Sequence, residues 1–365
     1  MKLICGKERL LNGINTVQKA VAAKTTLQML EGILIEAYEE LRLTGNDLEI
    51  GIESIVEAEI IEKGRIVLNA RIFGEIIRKM PESEVLLELD DNNAVKIECG
   101  NSHFKINGIS AEGFPALPQI KKEKVFKIRQ DIIRDMIRQT VFAVGTDENR
   151  PMLTGSLIEC VGDELVFVSI DGFRMALRRC RIKEEGSGFK AIVPGKTLNE
   201  ILKILEPSIG EVLIYCTKNQ AMFEIENCKV VSRLLEGEYL NYKGIIPQEF
   251  ETKITVNRRE LLNGIERASL IIMSEERRCP INFNINGDAM VLTTSSQLGN
   301  VREEITVETE GSDMDVSFNP RYFIEALRVI DDEMVDLYFT SGVGPCLVRP
   351  VEGDSFVYMI LPVRR

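Results

Sequence analysis

Two short patterns each occur three times along the chain, and their spacing limits the fold more than any other feature. LICGKERLLNGI begins at Leu3, FKIRQDIIRDMI at Phe126 and ITVNRRELLNGI at Ile254, so the starts lie 123 and 128 residues apart. Each copy reads as a short strand running into an amphipathic helix. Leu10, Ile14, Val17 and Val21 recur at helical spacing in the first copy, Ile133, Met136, Ile137 and Thr140 in the second, and Leu261, Leu262, Ile265 and Ala268 in the third. The second pattern follows about 65 residues later: IVLNARIFGEIIRKM from Ile66, AIVPGKTLNEILKIL from Ala191 and VSFNPRYFIEALRVI from Val316. Here too an alternating strand leads through Asn, Pro or Gly into a helix, with stripes Ile72/Ile76/Met80, Leu198/Leu202/Leu205 and Phe323/Leu327/Ile330. Asn69, Pro194 and Asn319 are in step at intervals of 125, and so are Arg71, Lys196 and Arg321.

After each of these second helices come two alternating stretches around a turn. EVLLEL and AVKIEC flank DDNN, VLIYC and AMFEIE flank TKNQ, and VDLYFT and CLVRPV flank SGVGP. Each unit of about 125 residues thus holds two strand–helix–strands halves, which predicts an antiparallel sheet carrying two helices on one face. The fold class is α+β, as three tandem similar domains. Pro cannot sit in a central strand, so FPALPQIKKEK (114–124) and IIPQEFETK (245–253) mark the linkers. The predicted domains are 1–121, 122–249 and 250–365.

A formal net charge of −12 argues at first against a nucleic-acid partner, but the charges are unevenly placed. The six helical segments (7–24, 71–79, 129–139, 196–203, 258–267 and 321–328) carry 17 basic and 8 acidic residues, and each is net positive. The rest of the chain is therefore strongly acidic. Arg71, Lys196 and Arg321 fall in first helical turns, where the helix dipole favours acids instead. A basic helical layer suits a polyanion. It would contact phosphates without reading sequence, and with no Trp and only 6% aromatic residues a single-strand stacking platform is not expected. Duplex backbone is the predicted partner, repelled by the acidic surface elsewhere.

Catalytic and metal motifs are missing. VPGKTL (193–198) looks like the end of a phosphate loop, but Lys190 stands where the first Gly would be required. The one histidine, His103, lies in the alternating stretch SHFKING and reads as an exposed strand residue. Eight cysteines are scattered with no C-x-x-C pair, so free, partly buried thiols are expected rather than a metal site or disulfides. Asp90/Asp91 and Asp331/Asp332 flank turns, where Asp serves the backbone. Met1–Leu10 is charged where a signal peptide would be apolar, and no apolar run approaches a membrane span, so a cytoplasmic protein without membrane association is expected. No enzymatic activity, cofactor or metal is expected.

With repeat and charge layout in hand, the chain resembles the bacterial DNA polymerase III beta subunit family, the DNA sliding clamps. LTGNDLEIGI (43–52), SIDGFRMAL (169–177), VSRLLEGEYLNYKGIIP (231–247) and YMILPVRR (358–365) carry the resemblance, which spans essentially the whole chain. It implies the DNA-clamp fold, with helices facing the interior of a ring and antiparallel sheets outside. It also implies a head-to-tail homodimer that encircles duplex DNA and serves as the processivity factor in DNA replication. The implied partners are the replicative polymerase, the clamp loader and other proteins carrying a clamp-binding motif, with nucleoid association during replication. A DNA-independent adaptor built from repeats is the alternative reading.

By position, the family's DNA contacts fall on Lys24, Arg71 and Lys196, and on Asn149 and Arg150 of the loop 146–150. The family's partner-peptide pocket, placed between the second and third domains, falls on Leu153 and on Ile170, Gly172, Phe173, Arg174 and Met175. From the stretch 231–247 it takes Leu240, Gly244 and Ile245, and from the last turn Pro345. Met359, Ile360, Leu361, Pro362, Val363 and Arg364 complete it. Phe173, Leu240 and Gly244 depart from better-known members, so a different motif preference is expected. The family's dimer joint falls on Phe104 and Ile106 in the first domain and on Leu270 and Ile271 in the third.

Overall fold

The computed structural model describes residues 1–120, 125–182, 188–272 and 279–363. Seven helices lie among them: α1 (Lys7–Val17), α2 (Ala70–Lys79), α3 (Gln130–Arg138), α4 (Gly195–Leu202), the single turn α5 (Tyr242–Ile245), α6 (Arg258–Ser269) and α7 (Pro320–Val329). Side-chain caps fix three of the starts. The carboxamide oxygens of Asn69, Asn257 and Asn319 accept from the backbone N–H of Ile72, of Arg259 and Glu260, and of Arg321. All paired strands are antiparallel, as the alternating stretches predicted.

The chain divides into two compact units: Met1–Asp131 with Glu200–Leu234, and Ile132–Asn199 with Leu235–Arg365. Sheet pairing explains this grouping. In the first unit an eight-stranded sheet forms because Cys228–Arg233, from the second repeat, pairs with Ile50–Val56 of the first. A five-stranded sheet completes that unit. In the second unit Phe356–Ile360, from the third repeat, pairs with Arg174–Arg181 of the second, giving a nine-stranded sheet beside one of four strands.

Side chains in register across these sheets form rows that face the helices. One row runs Phe126, Ile214, Phe223, Val230 and Ile52, each 5% exposed or less. Its counterpart in the other unit runs Ile254, Leu337, Val348, Tyr358 and Ala176, all buried. The matching row of the first repeat, Leu3, Leu87, Ile97 and Phe104, stops one residue short. Its last member, Phe104, lies on the edge strand Ser102–Asn107 and is 44% exposed.

Helix packing follows the predicted stripes with two corrections, one of them in α4, where Ile201 is buried and the expected Leu202 only half-buried. Leu10, Ile14 and Val17 are buried in α1, Ile133, Met136 and Ile137 in α3, and Leu261, Ile265 and Ala268 in α6. In α2, however, Ile72 is exposed, and the buried stripe is Phe73, Ile77 and Met80. Phe73 and Ile77 thus replace Ile72 and Ile76, while Met80 is buried as expected. Gly13 in α1 lies against Val56, and Gly264 in α6 against Ile305, where a methyl group would stand 2.5 Å and 2.8 Å from those side chains. The bare backbone lets each helix sit close on its strand. Val301 therefore holds the place in the third repeat that Ile52 holds in the first, four residues before the strand position under the helix glycine.

Candidate partner pocket and basic helix faces

Most of the residues predicted for the pocket come together in the second unit. The hairpin joining Glu164–Ile170 to Arg174–Arg181 turns at Asp171–Gly172, and Gly172 has φ +93°, a conformation open chiefly to glycine. Asp171 Oδ1 accepts from the backbone N–H of Phe173 at 2.9 Å and of Arg174 at 3.1 Å, which locks the turn. Strand Phe356–Ile360 pairs alongside, with Met359 opposite Met175. Leaving that strand, the Leu361 N–H donates to the Phe173 carbonyl at 2.9 Å, and the Val363 N–H donates to the Ser317 carbonyl at 2.8 Å. The tail is thus fastened along the turn.

Its floor is an apolar cluster that includes Leu153, Ile170, Met175 and Met359, joined by Tyr239 and Tyr242 from the stretch 231–247. Around it Phe173, Leu240 and Ile245 are exposed, while Leu361, Pro362 and Val363 are half-buried. A monomeric surface rarely leaves three large apolar side chains exposed beside an apolar floor without a partner. A cavity of about 550 Å³ opens where Pro362 and Val363 meet Asp315, Ser317 and Val343. Val343, 86% exposed on the turn before Pro345, was not anticipated from the sequence, nor was Tyr322. Ile360 is buried, and Pro345 accepts at its carbonyl from the Thr340 hydroxyl at 3.1 Å. Gly244 is exposed at the end of α5. Arg364 lies outside the described residues.

Arg174 is the unusual member, because it is a buried arginine, 7% exposed. Its Nε donates to Asp171 Oδ2 at 2.8 Å, Nη2 to the Phe142 carbonyl at 2.7 Å, and Nη1 to Glu325 of α7. Its guanidinium lies over the Tyr322 ring at 4.8 Å, and Phe173 stacks on that same ring with centroids 6.3 Å apart. Burial alone would raise the Glu325 carboxyl. Hydrogen bonds from Arg321 and Arg174 more than offset this and hold it below the ordinary carboxylate range.

The predicted phosphate contacts fare differently from one another. In the first unit Lys24 and Arg71 are exposed and make no ion pair with a described residue. In the second, Lys196 is exposed near the start of α4. Asp147 gathers the loop residues: it accepts from the Asn149 side chain at 2.9 Å and pairs with Arg150 at 3.1 Å. Arg150 in turn lies against Gly172, 3.2 Å from where a methyl group there would stand, so this loop borders the pocket turn. At the expected dimer joint, Leu270 is 79% exposed just past α6, Ile271 is half-buried, and Ile106 shares the edge strand with Phe104.

Comparison with known proteins decides the family. The N-terminal, central and C-terminal domains of the DNA polymerase III beta subunit match residues 1–118, 127–241 and 243–364 in turn. The chain belongs to this family, the beta sliding clamps. It is 35% identical to the beta sliding clamp of Halalkalibacterium halodurans and 36% identical to that of Bacillus subtilis, with all of each chain covered. Among solved structures, a DNA polymerase III beta subunit from Eubacterium rectale superposes with a TM-score of 0.96 at 42% identity, covering both chains fully. The Bacillus subtilis sliding clamp also gives 0.96, at 35% identity, covering 100% of this chain and 99% of that one. The clamp fold of three tandem domains is established, and so is the role of a replication processivity factor rather than an enzyme. The DNA-independent adaptor is not favoured.

Proposed function

We propose that two copies of this chain close head to tail around duplex DNA, with domains 1–121, 122–249 and 250–365 of each contributing to one ring. The unfinished row ending at Phe104 carries this reading. Each of the other two rows is completed by a strand from a neighbouring repeat, and among the described residues the only counterpart strand left over is Gly299–Thr306, itself a sheet edge. Applying the register of the internal junctions sets Phe104 opposite Val301 of a second copy, as Val230 lies opposite Ile52 and Tyr358 opposite Ala176. The joint would bury both free edges, which otherwise invite indiscriminate pairing, and would cover Leu270.

Lys24, Arg71 and Lys196 contact phosphates in this arrangement, and so do Asn149 and Arg150 beside the pocket turn. Enclosure holds the DNA while weak, sequence-independent attraction allows sliding. The pocket around Phe173, Leu240 and Met359 takes a short apolar linear motif from the replicative polymerase, and from the clamp loader and other DNA-processing proteins in competition with it. Tethering raises the partner's local concentration at the primer end. Such a protein works in the cytoplasm, at the nucleoid while replication proceeds. Loading onto nicked circular duplex with the clamp loader and ATP, followed by linearisation, tests the ring: release on cutting is expected, and retention would mean binding to the surface of DNA without enclosure.

A further inference from the structure

Glu75, Glu200 and Glu325 are one position repeated at intervals of 125, and so are Arg78, Lys203 and Arg328 three residues later. In the first two repeats the acid pairs with that following base, Glu75 with Arg78 and Glu200 with Lys203, each on its own helix surface. The third repeat breaks the pattern. Arg328 turns instead to Glu266 of α6, with nitrogens 3.1 Å and 2.8 Å from Oε1. Glu325 is thereby released to face the other way. Its Oε1 accepts from Arg321 Nε at 2.6 Å, one turn earlier in α7, and its Oε2 accepts from the buried Arg174.

One carboxylate thus bridges a cation on the basic helix face and the cation that holds the pocket wall. Arg321 stands 75% exposed in the first turn of α7, in step with Arg71 and Lys196. Arg174 supports Tyr322, against which Phe173 stacks, and pairs with Asp171 at the turn. Position 174 corresponds to Ile50 in the first repeat and Gly299 in the third, so only this junction has the buried arginine.

Resting on the reading of the basic helix faces as phosphate contacts, extended to Arg321 because it is in step with Arg71 and Lys196, and of this pocket as the partner site, we propose that Glu325 is a positioning residue through which DNA in the ring tightens partner binding. When a phosphate draws Arg321 away, Glu325 keeps a single cationic partner and holds Arg174, and with it Tyr322 and Phe173, more firmly. By linkage, a bound partner motif strengthens the Arg321–phosphate contact by the same factor.

The test measures fluorescence anisotropy of a labelled peptide, the short apolar clamp-binding motif of the cell's replicative polymerase, against full-length dimer. The dimer is assayed free and then closed on nicked circular DNA. The wild type is expected to bind about fivefold more tightly on DNA, an ordinary coupling between sites. Glu325→Gln is expected to bind more weakly when free and to lose the response to DNA. Arg321→Ala, which leaves Glu325 to Arg174 alone as a phosphate would, is expected to bind the peptide when free about as tightly as the wild type does on DNA, and to show no further response to DNA. Its exposed side chain makes it the variant that tests the coupling even where Glu325→Gln melts early. An unchanged response to DNA in Arg321→Ala overturns the coupling. Failure of the wild type to bind the peptide, or indifference to Phe173→Ala, overturns the pocket reading and the coupling with it. Binding that needs Phe173 but ignores both Arg321 and Glu325 overturns the coupling alone.

Discussion

Phe104 lies directly opposite Ile97 across the last strand pair of the five-stranded sheet, and among the described residues no further strand of that sheet covers it. Ile97 is fully buried, whereas Phe104 keeps nearly half its surface in water. Covering that ring in a dimer is worth about 1 to 2 kcal/mol by area, and a charge in its place would be buried unpaired. Phe104→Asp should therefore convert the dimer to a monomer at micromolar concentration with little change in the thermal unfolding of the monomer. Sedimentation velocity distinguishes the two states. A Phe104→Asp chain that sediments as an undiminished dimer would move the joint elsewhere.

Repetition made the fold legible. Strand–helix patterns at a fixed interval exposed the α+β class and the position of six helices, because each repeat must bury its own stripe. The interval of 125 that aligned Asn69 with Asn319 would also have paired Phe73 with Phe323, but apolar spacing alone favoured Ile72. Pairing between repeats was harder to read, since nothing local in Cys228–Arg233 announces Ile50–Val56 as its neighbour. The candidate pocket divides in the same way. Its apolar residues were reachable by resemblance, whereas Tyr322, Val343 and Glu325 join it through contacts such as Arg174 to Glu325, which spans 151 residues. Arg150 illustrates the limit: the resemblance offered it as a DNA contact, and nothing in the sequence foretold that the fold would lay it against Gly172.

Phosphate contacts that carry no sequence information should register as salt dependence. Arg71 is exposed at the start of α2 and Lys24 beyond α1, each without an ion-pair partner among the described residues to compete for it. Replacing either by Ala should lower the slope of log affinity against log salt by about one for each phosphate lost, without altering preference among sequences. Titrating ring opening or direct DNA binding over a salt series provides the slope. Arg78, paired with Glu75, serves as the comparison and should change it less.

Within the pocket, exposed and buried members should separate binding from stability. Phe173 is 58% exposed, so Phe173→Ala should cost peptide affinity about tenfold while leaving the melting temperature nearly unchanged. Arg174→Ala removes a cation from the half-buried carboxylates of Asp171 and Glu325 and a donor from the Phe142 carbonyl, which costs about 2 kcal/mol of stability as well as the binding. Isothermal titration of the polymerase peptide, run beside urea unfolding of each variant, distinguishes the two. Equal loss of stability in both variants would show that Phe173 is part of the core and not of the binding surface.

Acid should dismantle the same network from its carboxylate side. Glu325 faces Arg321 on its own helix and Arg174 from the neighbouring strand, with Tyr322 and Asp171 close by, and its carboxyl is held below its ordinary value of 4.5. A carboxylate depressed in the folded state contributes stability that is fully present above its unfolded value and is lost as the pH falls through the folded one. The wild type should therefore exceed Glu325→Gln in unfolding free energy at neutral pH, and the gap should narrow once the pH drops below 4.5. Comparing the two proteins cancels the other carboxylates that titrate over the same range. Urea midpoints measured from pH 7 to pH 3 trace the difference, and a gap that widens on acidification would mean that burial, rather than the two arginines, governs this group.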